Sequence, residues 1–190
     1  MPSSRALAAA LCEPYRRSAK RAVILELGAG TGPVTRHIGT LLGPRDELDI
    51  CEINPDFADV IERNVLTNDD FASSVSEGRV RLLRLPAQDL NSERRYDFVI
   101  CGIPFTSLDL ALVQEIMAAI RHGLKARGAF SYFEYLGLRR LVRTFAPFDR
   151  KRFREVSDYM SGNIADYQFE QKLVWGNVPP ARVRYLRFDS

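Results

Sequence analysis

The sequence predicts an α/β fold, a mostly parallel sheet with helices on both faces that ends in an antiparallel hairpin. Three observations predict it: short apolar runs of strand length, amphipathic helical stretches between them, and two strand-like segments joined by a Gly/Pro-rich turn near the end. With 190 residues, 46% of them hydrophobic, the chain has the size and composition of one globular domain. We therefore expect a single domain over 1–190, with a basic amphipathic helix and linker over 1–21 and the main body over 22–190.

Each element follows from a local pattern. Residues 22–27 form a short apolar run closed by Gly28, as a buried parallel strand does. Pro55, a favoured first helical residue, marks the start of a helix further on. The predicted strands, all apolar or alternating, are 22–27, 48–52, 79–85, 96–101, 129–135, 167–175 and 181–188. The predicted helices, which carry one apolar face, are 33–42, 55–66 and 109–124. Strands joined by helical crossovers lie parallel in a sheet.

Composition excludes several classes of protein. Cys12, Cys51 and Cys101 form no Cys-x-x-Cys pair, which argues against a disulfide framework or zinc cluster and for a reducing, cytoplasmic setting. Only two histidines are present, so no metal site is expected. No apolar run reaches the ~20 residues that a membrane span needs, and no signal peptide is expected.

The net charge of +3 is unevenly distributed. The basic residues are Arg5, Arg16, Arg17, Lys20 and Arg21 in 1–21, and Arg139, Arg140, Arg143, Arg150, Lys151, Arg152 and Arg154 in 139–154. Both segments are either solvated helical faces or surfaces that meet phosphate on a lipid leaflet or a nucleic acid. Leu7, Leu11 and Tyr15 add an apolar stripe to the first segment. Such a stripe suits an interfacial helix on anionic lipid, or a lid packed across a ligand cleft.

A glycine-rich loop lies directly between the first strand and the first long helix. Residues 26–32 read Glu-Leu-Gly-Ala-Gly-Thr-Gly, so the backbone can turn tightly and approach a ligand closely. The spacing is Gly-x-Gly-x-Gly followed by Pro33, which departs from a dinucleotide-binding loop, and the lysine of a nucleoside-triphosphate loop is absent. The loop therefore indicates adenosine that carries something other than phosphate.

Acidic residues follow the second and third strands. Glu52 ends the second strand twenty residues past Gly32, where a carboxylate can accept both hydroxyls of a ribose. Asp89, preceded by Gln88, follows the third strand and is placed either to meet an adenine amino group or to cap a helix.

These motifs resemble those of class I S-adenosylmethionine-dependent methyltransferases over residues 22–135. The resemblance implies the Rossmann-like sheet of that family and a catalytic core over 22–190, with S-adenosyl-L-methionine as the cofactor. The residues it assigns to the cofactor are Glu26, Gly28, Gly30 and Gly32 at the glycine loop, Glu52 at the ribose, Gln88 and Asp89 beside adenine, and also Ile53 and Gly102.

The fourth strand leads into the segment that bears on the substrate. Family members that methylate base amines carry Asn-Pro-Pro-Tyr here, whereas this chain has Gly102 at the Asn position. The carboxamide acceptor is missing, which weakens adenine methylation. Ile103, Pro104 and Phe105 remain as an apolar wall, either for substrate binding or as plain core packing.

A narrower resemblance is to bacterial phospholipid N-methyltransferases, which methylate phosphatidylethanolamine. It is carried by residues 2–8, 27–35, 102–105 and 177–183 in that order. It implies a peripherally membrane-associated enzyme that meets its phospholipid substrate at an anionic membrane surface. Ribosomal RNA adenine dimethyltransferases, which share the glycine loop, are the chief alternative, and a non-catalytic cofactor-binding module at a membrane surface is another.

The fifth strand supplies the candidate catalytic residues. The resemblance assigns Tyr135 and, second, Tyr132 to the substrate site. An aromatic face attracts a cationic headgroup, and a phenol can accept a proton from an amine. Tyr132, Tyr135, Glu134 and solvent all stay open as the proton acceptor. Plain packing of both tyrosines against helices is the alternative.

Overall fold

The computed structural model describes residues 4–136 and 150–188. The strands are β1 (Val23–Leu27), β2 (Glu47–Cys51), β3 (Val80–Leu83), β4 (Tyr96–Cys101), β5 (Leu124–Tyr135), β6 (Gln168–Val174) and β7 (Ala181–Leu186). The helices are α1 (Arg5–Leu11), α2 (Glu13–Arg16), α3 (Pro33–Gly39), α4 (Pro55–Asn64), α5 (Asp69–Ser76), α6 (Leu110–Gly123) and α7 (Arg150–Tyr167), with short 3-10 turns at Ala87–Asp89 and Phe105–Ser107.

All seven strands form one sheet in the order β3-β2-β1-β4-β5-β7-β6. The strands β1 to β5 pair in parallel, and β7 is antiparallel to both β5 and β6, so the predicted fold class is confirmed. The carboxyl ends of the parallel strands therefore meet at one edge. Because β7 runs the opposite way, its first residue, Ala181, pairs with Tyr135 at that same edge. The turn between β6 and β7 projects from there.

Three elements differ from the sequence prediction. Strand β5 begins at Leu124 and not at 129, because its pairing with β4 shifts register between Tyr96 and Phe98, and Arg127 takes a positive φ of 66° within it. The helices α5 and α7 were not predicted, because their sequences are too polar to show a clear apolar period.

The sheet buries one apolar cluster on each face, as alternating side chains of a strand require. One face packs on α1 and α3 and includes Leu7, Ile24 and Ile38. The other packs on α6 and α7 and includes Leu25 and Ile116.

The N-terminal stripe belongs to the first of these clusters, and the expectation of an interfacial helix is wrong. Leu7, Leu11 and Tyr15 are buried, and the Tyr15 hydroxyl donates to Asp46 Oδ2 at 2.7 Å. Two buried hydroxyls also bind the α1 carbonyls: Ser131 Oγ at 2.8 Å from Leu11 O, and Tyr185 OH at 2.7 Å from Ala10 O. The periodicity therefore records packing on the sheet, with no apolar face left for lipid.

Three of the five basic residues beside that stripe also form ion pairs within the protein. Arg16 and Arg17 both bind the carboxylate of Glu13, and Arg21 binds Glu47. Of the second basic segment, residues 139–149 lie outside the described residues. Within 4–136 and 150–188, no helix is long and apolar enough to cross a bilayer.

Candidate active site

The glycine loop follows β1 at the carboxyl edge of the sheet. Gly28, Gly30 and Gly32 all take positive φ, from 57° to 81°, a conformation that side chains disfavour. A Cβ on Gly28 would lie 2.4 Å from Ile103 Cγ1, whereas nothing lies within 4 Å of a Cβ on Gly30. The loop is therefore pressed against the end of β4 on one side and open on the other.

Glu26 is a buried carboxylate beneath the loop. Neither of its oxygens has a hydrogen-bond partner among the described residues, and the same holds for the hydroxyl of the nearby Thr35. Burial raises the pKa of Glu26 to about 8, and the charge of Glu52 adds to the effect. The hydroxyl and backbone N–H of Thr35 lie close enough to oppose this rise, but neither meets the geometry of a hydrogen bond to Glu26. A buried acid without a partner is costly, and a ligand ammonium group would relieve that cost.

Glu52 ends β2 beside the same loop and is almost fully buried. Its Oε2 accepts the backbone N–H of Gly30 at 2.7 Å, and its Oε1 accepts that of Asn54 at 2.8 Å. A carboxylate has about four acceptor positions, so two remain for the hydroxyls of a ribose.

The adenine end of the predicted site lies next to Glu52. The side chain of Ile53 is 66% exposed, which is unusual for isoleucine and leaves an apolar face for a flat base. Gln88 and Asp89 lie on the 3-10 turn after β3, half-buried and exposed respectively. An orphaned acid, an open glycine cradle and a free apolar face together fit S-adenosylmethionine.

The segment after β4 closes the site on the other side. Gly102 has no room for a side chain, because its Cβ would lie 2.6 Å from the carbonyl oxygen of Gly28. Ile103 packs on the glycine loop, and Pro104 is exposed. Phe105 is only 3% exposed, with its ring centroid 5.7 Å from that of Tyr132. Phe105 is therefore chiefly a core residue, although it also lines a small cavity at the end of β5.

The two candidate tyrosines lie on opposite faces of β5 but line one small cavity of about 20 Å³ together with Phe105 and Met160. That volume is about the size that holds one water molecule. The Tyr132 hydroxyl is buried without a hydrogen-bond partner among the described residues, and burial raises its pKa. Tyr135 is half-buried at the strand end.

A second cavity of about 410 Å³ adjoins the first and shares Glu134 and Tyr135 with it. It is bounded by α7 and by two arginines of β7, Arg182 and Arg184. Sequence reasoning did not select Arg182 as functional. The signal was nonetheless present, since Arg182 lies inside the segment 177–183 that carried the narrower resemblance.

Comparison with known proteins gives one curated relative. Over 165 residues the chain is 29% identical to an ornithine lipid N-methyltransferase of Singulisphaera acidiphila, covering 87% of this chain and 75% of the relative. No protein-family profile matches the chain.

Solved structures share the fold at low identity. The N-methyltransferase NodS of Bradyrhizobium japonicum superposes with a TM-score of 0.67 at 11% identity, covering 96% of this chain and 94% of its own. The 1,6-didemethyltoxoflavin-N1-methyltransferase of Burkholderia thailandensis, solved with bound 1,6-didemethyltoxoflavin and S-adenosylhomocysteine, gives a TM-score of 0.63 at 16% identity. The match covers 96% of this chain and 76% of that enzyme. This chain thus has the sheet that such enzymes share.

Proposed function

We propose that this chain, a class I S-adenosylmethionine-dependent methyltransferase, methylates the primary amine of a phospholipid headgroup, that of phosphatidylethanolamine. Its class, its N-methyltransferase activity and its cofactor are confirmed by the curated relative and by the methyltransferases that share its sheet. A lipid amine as the general substrate follows from that relative, which is named for an ornithine lipid. The choice of phosphatidylethanolamine is our own.

The observation that carries the proposal is the pair of cavities at the end of β5. Tyr132, Tyr135 and Phe105 line the inner cavity. Phe105 follows Gly102 by three residues, and Gly102 packs directly on the glycine loop. Aromatic faces attract an ammonium group by about 0.5–2 kcal/mol and still hold it after methylation makes its charge permanent. The outer cavity is large enough for the rest of a headgroup.

The chemistry asks the protein chiefly for positioning. S-adenosylmethionine supplies the methyl group on a positively charged sulfur. A primary ammonium resembles that of lysine, with a pKa of about 10.4, so it must lose a proton before its lone pair can attack. The chain has to hold the neutral amine in line with the methyl group, at roughly 3–3.5 Å. Of the groups that line this cavity, the Glu134 carboxylate can take the proton, and the hydroxyls of Tyr132 and Tyr135 can accept a hydrogen bond from the amine.

Access to a membrane needs a surface at the same edge of the sheet. In the turn between β6 and β7, Trp175 is 70% exposed and Val178 is 73% exposed. Leu136 N donates to Pro180 O at 2.7 Å, which fixes this turn beside the end of β5. Tryptophan favours the interfacial layer of a bilayer. We assign the contact with lipid to this turn, in place of the buried N-terminal stripe.

Adenine methylation in RNA is less well supported. A nucleobase would stack on Phe105 in that reading, but the Phe105 ring is buried and packs against both Phe130 and Tyr132. The backbone around Gly102 has no room for the asparagine that accepts from a base amine.

The deciding experiment is incubation of the purified protein with methyl-labelled cofactor and three separate substrates. These are vesicles of phosphatidylethanolamine with phosphatidylglycerol, vesicles in which ornithine lipid replaces phosphatidylethanolamine, and ribosomal RNA. We expect label in phosphatidylethanolamine. Label in ornithine lipid alone would correct the headgroup, and label in RNA alone would overturn the proposal. Vesicles of phosphatidylcholine and phosphatidylglycerol, which lack a methylatable amine, are the control.

A further inference from the structure

We propose that Arg182 binds the anionic group that adjoins the amine in the substrate headgroup. This inference rests on the proposed function. In phosphatidylethanolamine the anion is a phosphate diester, and in an ornithine lipid it is a carboxylate. Both are planar or tetrahedral oxygen anions a few bonds from the amine, and both match the fork of a guanidinium group.

The first support is that the half-buried side chain of Arg182 has an unpaired hydrogen-bond donor. Its Nε is buried, and Nε forms no hydrogen bond among residues 4–136 and 150–188. Arg182 lies directly opposite Glu134 in the pairing of β5 with β7, yet the Glu134 carboxylate binds Arg184 Nε instead, at 2.9 Å. A buried guanidinium N–H without an acceptor is unfavourable, so this position can receive an anion from outside.

The second support is the contrast between two arginines on the same face of β7. Arg184 is fully engaged, because it binds Glu134 and also donates to Gln168 Oε1 at 2.7 Å. Arg182, two residues earlier, is closer to the carboxyl edge of the sheet and lines the same cavity. The strand therefore neutralises the inner arginine and leaves the outer one for a ligand.

The third support is the position of this cavity. It shares Tyr135, Glu134, Thr106 and Ser157 with the small aromatic cavity proposed for the amine. A headgroup with its amine near Tyr135 would place its anion toward Arg182 and its acyl chains toward the solvent edge. Amine and anion would then be read by two adjoining subsites.

The test compares Arg182→Gln and Arg182→Lys with the native enzyme in neutral detergent micelles, which carry no surface charge. Arg187→Gln is the matched control, since Arg187 is an exposed arginine that directly follows the end of β7. Three amine lipids are used: phosphatidylethanolamine, ornithine lipid, and a diacyl lipid whose primary amine is joined through an uncharged ether.

We expect Arg182→Gln to raise KM for the anionic lipid by about tenfold to a hundredfold, the usual loss of one charge-assisted contact, with kcat little changed. Arg182→Lys keeps the positive charge but loses the two-pronged guanidinium group, so its KM should lie between those of the native enzyme and Arg182→Gln. For both Arg182 variants, activity on the uncharged lipid and the thermal unfolding temperature should equal those of the native enzyme. Loss confined to one anionic lipid identifies phosphate or carboxylate as the group bound.

Two results would overturn the inference: an equal loss on the uncharged lipid, or an unchanged KM for both anionic lipids. Binding of each lipid to the protein loaded with S-adenosylhomocysteine, measured by calorimetry, separates this inference from the proposed function. Binding that depends on Arg182 without methylation would retain the subsite and reject the function. Methylation of a lipid that binds equally well to the native protein and to Arg182→Gln would retain the function and reject the subsite. Absence of lipid binding would reject both.

Discussion

The carboxylate of Glu52 accepts the backbone N–H of Gly30 at 2.7 Å, across the crevice between the ends of β1 and β2. The acid that the sequence assigned to the ribose therefore also holds the glycine loop in shape. Gly30 is the loop residue with open space in front of it, so the loop is supported from behind and free toward the ligand. Loop and acid form one unit, and their spacing in the sequence reflects this contact.

Glu52→Ala should weaken binding of S-adenosylmethionine by about tenfold to a hundredfold, because charge-assisted hydrogen bonds contribute about 1.5–3 kcal/mol. Calorimetry on the folded variant measures the loss. Glu115→Ala, at an exposed position of α6, is the control and should bind like the native protein. Equal affinity of Glu52→Ala and the native protein would remove Glu52 from the cofactor site.

Glu26→Gln should change how stability depends on pH. The folded protein holds a proton on Glu26 up to about pH 8, whereas the unfolded chain releases it near the ordinary value of 4.5. The stabilising contribution of that proton is complete below about pH 4.5 and is lost as the pH rises through 8. Between about pH 4.5 and 8, the free energy of unfolding of the native protein should therefore fall relative to that of Glu26→Gln by about 1 kcal/mol per pH unit. Urea unfolding of both proteins without ligand measures this difference. Parallel pH profiles for the two proteins would contradict the raised pKa.

Binding of the cofactor should release protons from Glu26. An ammonium group placed against Glu26 stabilises the carboxylate, so binding near neutral pH should release up to about one proton from it. Calorimetry in two buffers of different ionisation enthalpy measures the number released. We expect Glu26→Gln to release fewer protons than the native protein, and equal release would mean that Glu26 does not face the cofactor.

Tyr135→Phe separates the two roles of that side chain, since it keeps the aromatic face and removes the hydroxyl. We expect lower kcat on phosphatidylethanolamine with unchanged cofactor affinity, and a larger loss in Tyr135→Ala. Tyr159→Phe, on α7, is the control for removing a tyrosine hydroxyl nearby. A folded Tyr135→Ala protein with full activity would move the amine site elsewhere.

The double variant Trp175→Ser, Val178→Ser should bind vesicles of phosphatidylethanolamine and phosphatidylglycerol more weakly in a sedimentation assay. Two exposed apolar side chains are lost from the turn that we assign to the membrane. Phe169→Ser, at the opposite end of β6 and also partly exposed, is the matched control. Equal weakening by both variants would show that the turn has no special role.

Leu11→Ala should lower the free energy of unfolding by about 2–5 kcal/mol without any lipid present, as for other buried leucines. Leu11 is completely buried against the sheet, so removing it leaves a cavity. An unchanged denaturation midpoint would restore the view of α1 as a helix that waits for a membrane.

Local patterns were enough for much of the fold. Spacing in the sequence was enough to predict the strand at 22–27, the glycine loop and the role of Glu52, because these depend on contacts between neighbouring segments. The tail hairpin was readable because Gly176 and Pro179 mark its turn. The pairing of β7 between β5 and β6 was not readable, since strand order across a sheet depends on long-range packing.

The stripe of Leu7, Leu11 and Tyr15 shows the limit of periodicity. A repeat of this kind establishes that one side of a helix is buried, but not whether protein or lipid buries it. Arg182 shows a second limit. Glu134 binds Arg184 and not Arg182, which lies directly opposite it. This choice depends on the conformation of the Glu134 side chain, which the sequence does not determine.

The bond from Tyr185 to the carbonyl of Ala10 has a consequence for the chain while it is being made. Helix α1 leaves the ribosome well before Tyr185, which is translated 175 residues after Ala10. At about 5–20 residues per second, that interval lasts roughly 9 to 35 seconds. Helix α3 can cover part of α1 during this time, but the hydrogen bond from Tyr185 forms only once β7 is made, so the native packing of α1 is completed among the last steps of biogenesis.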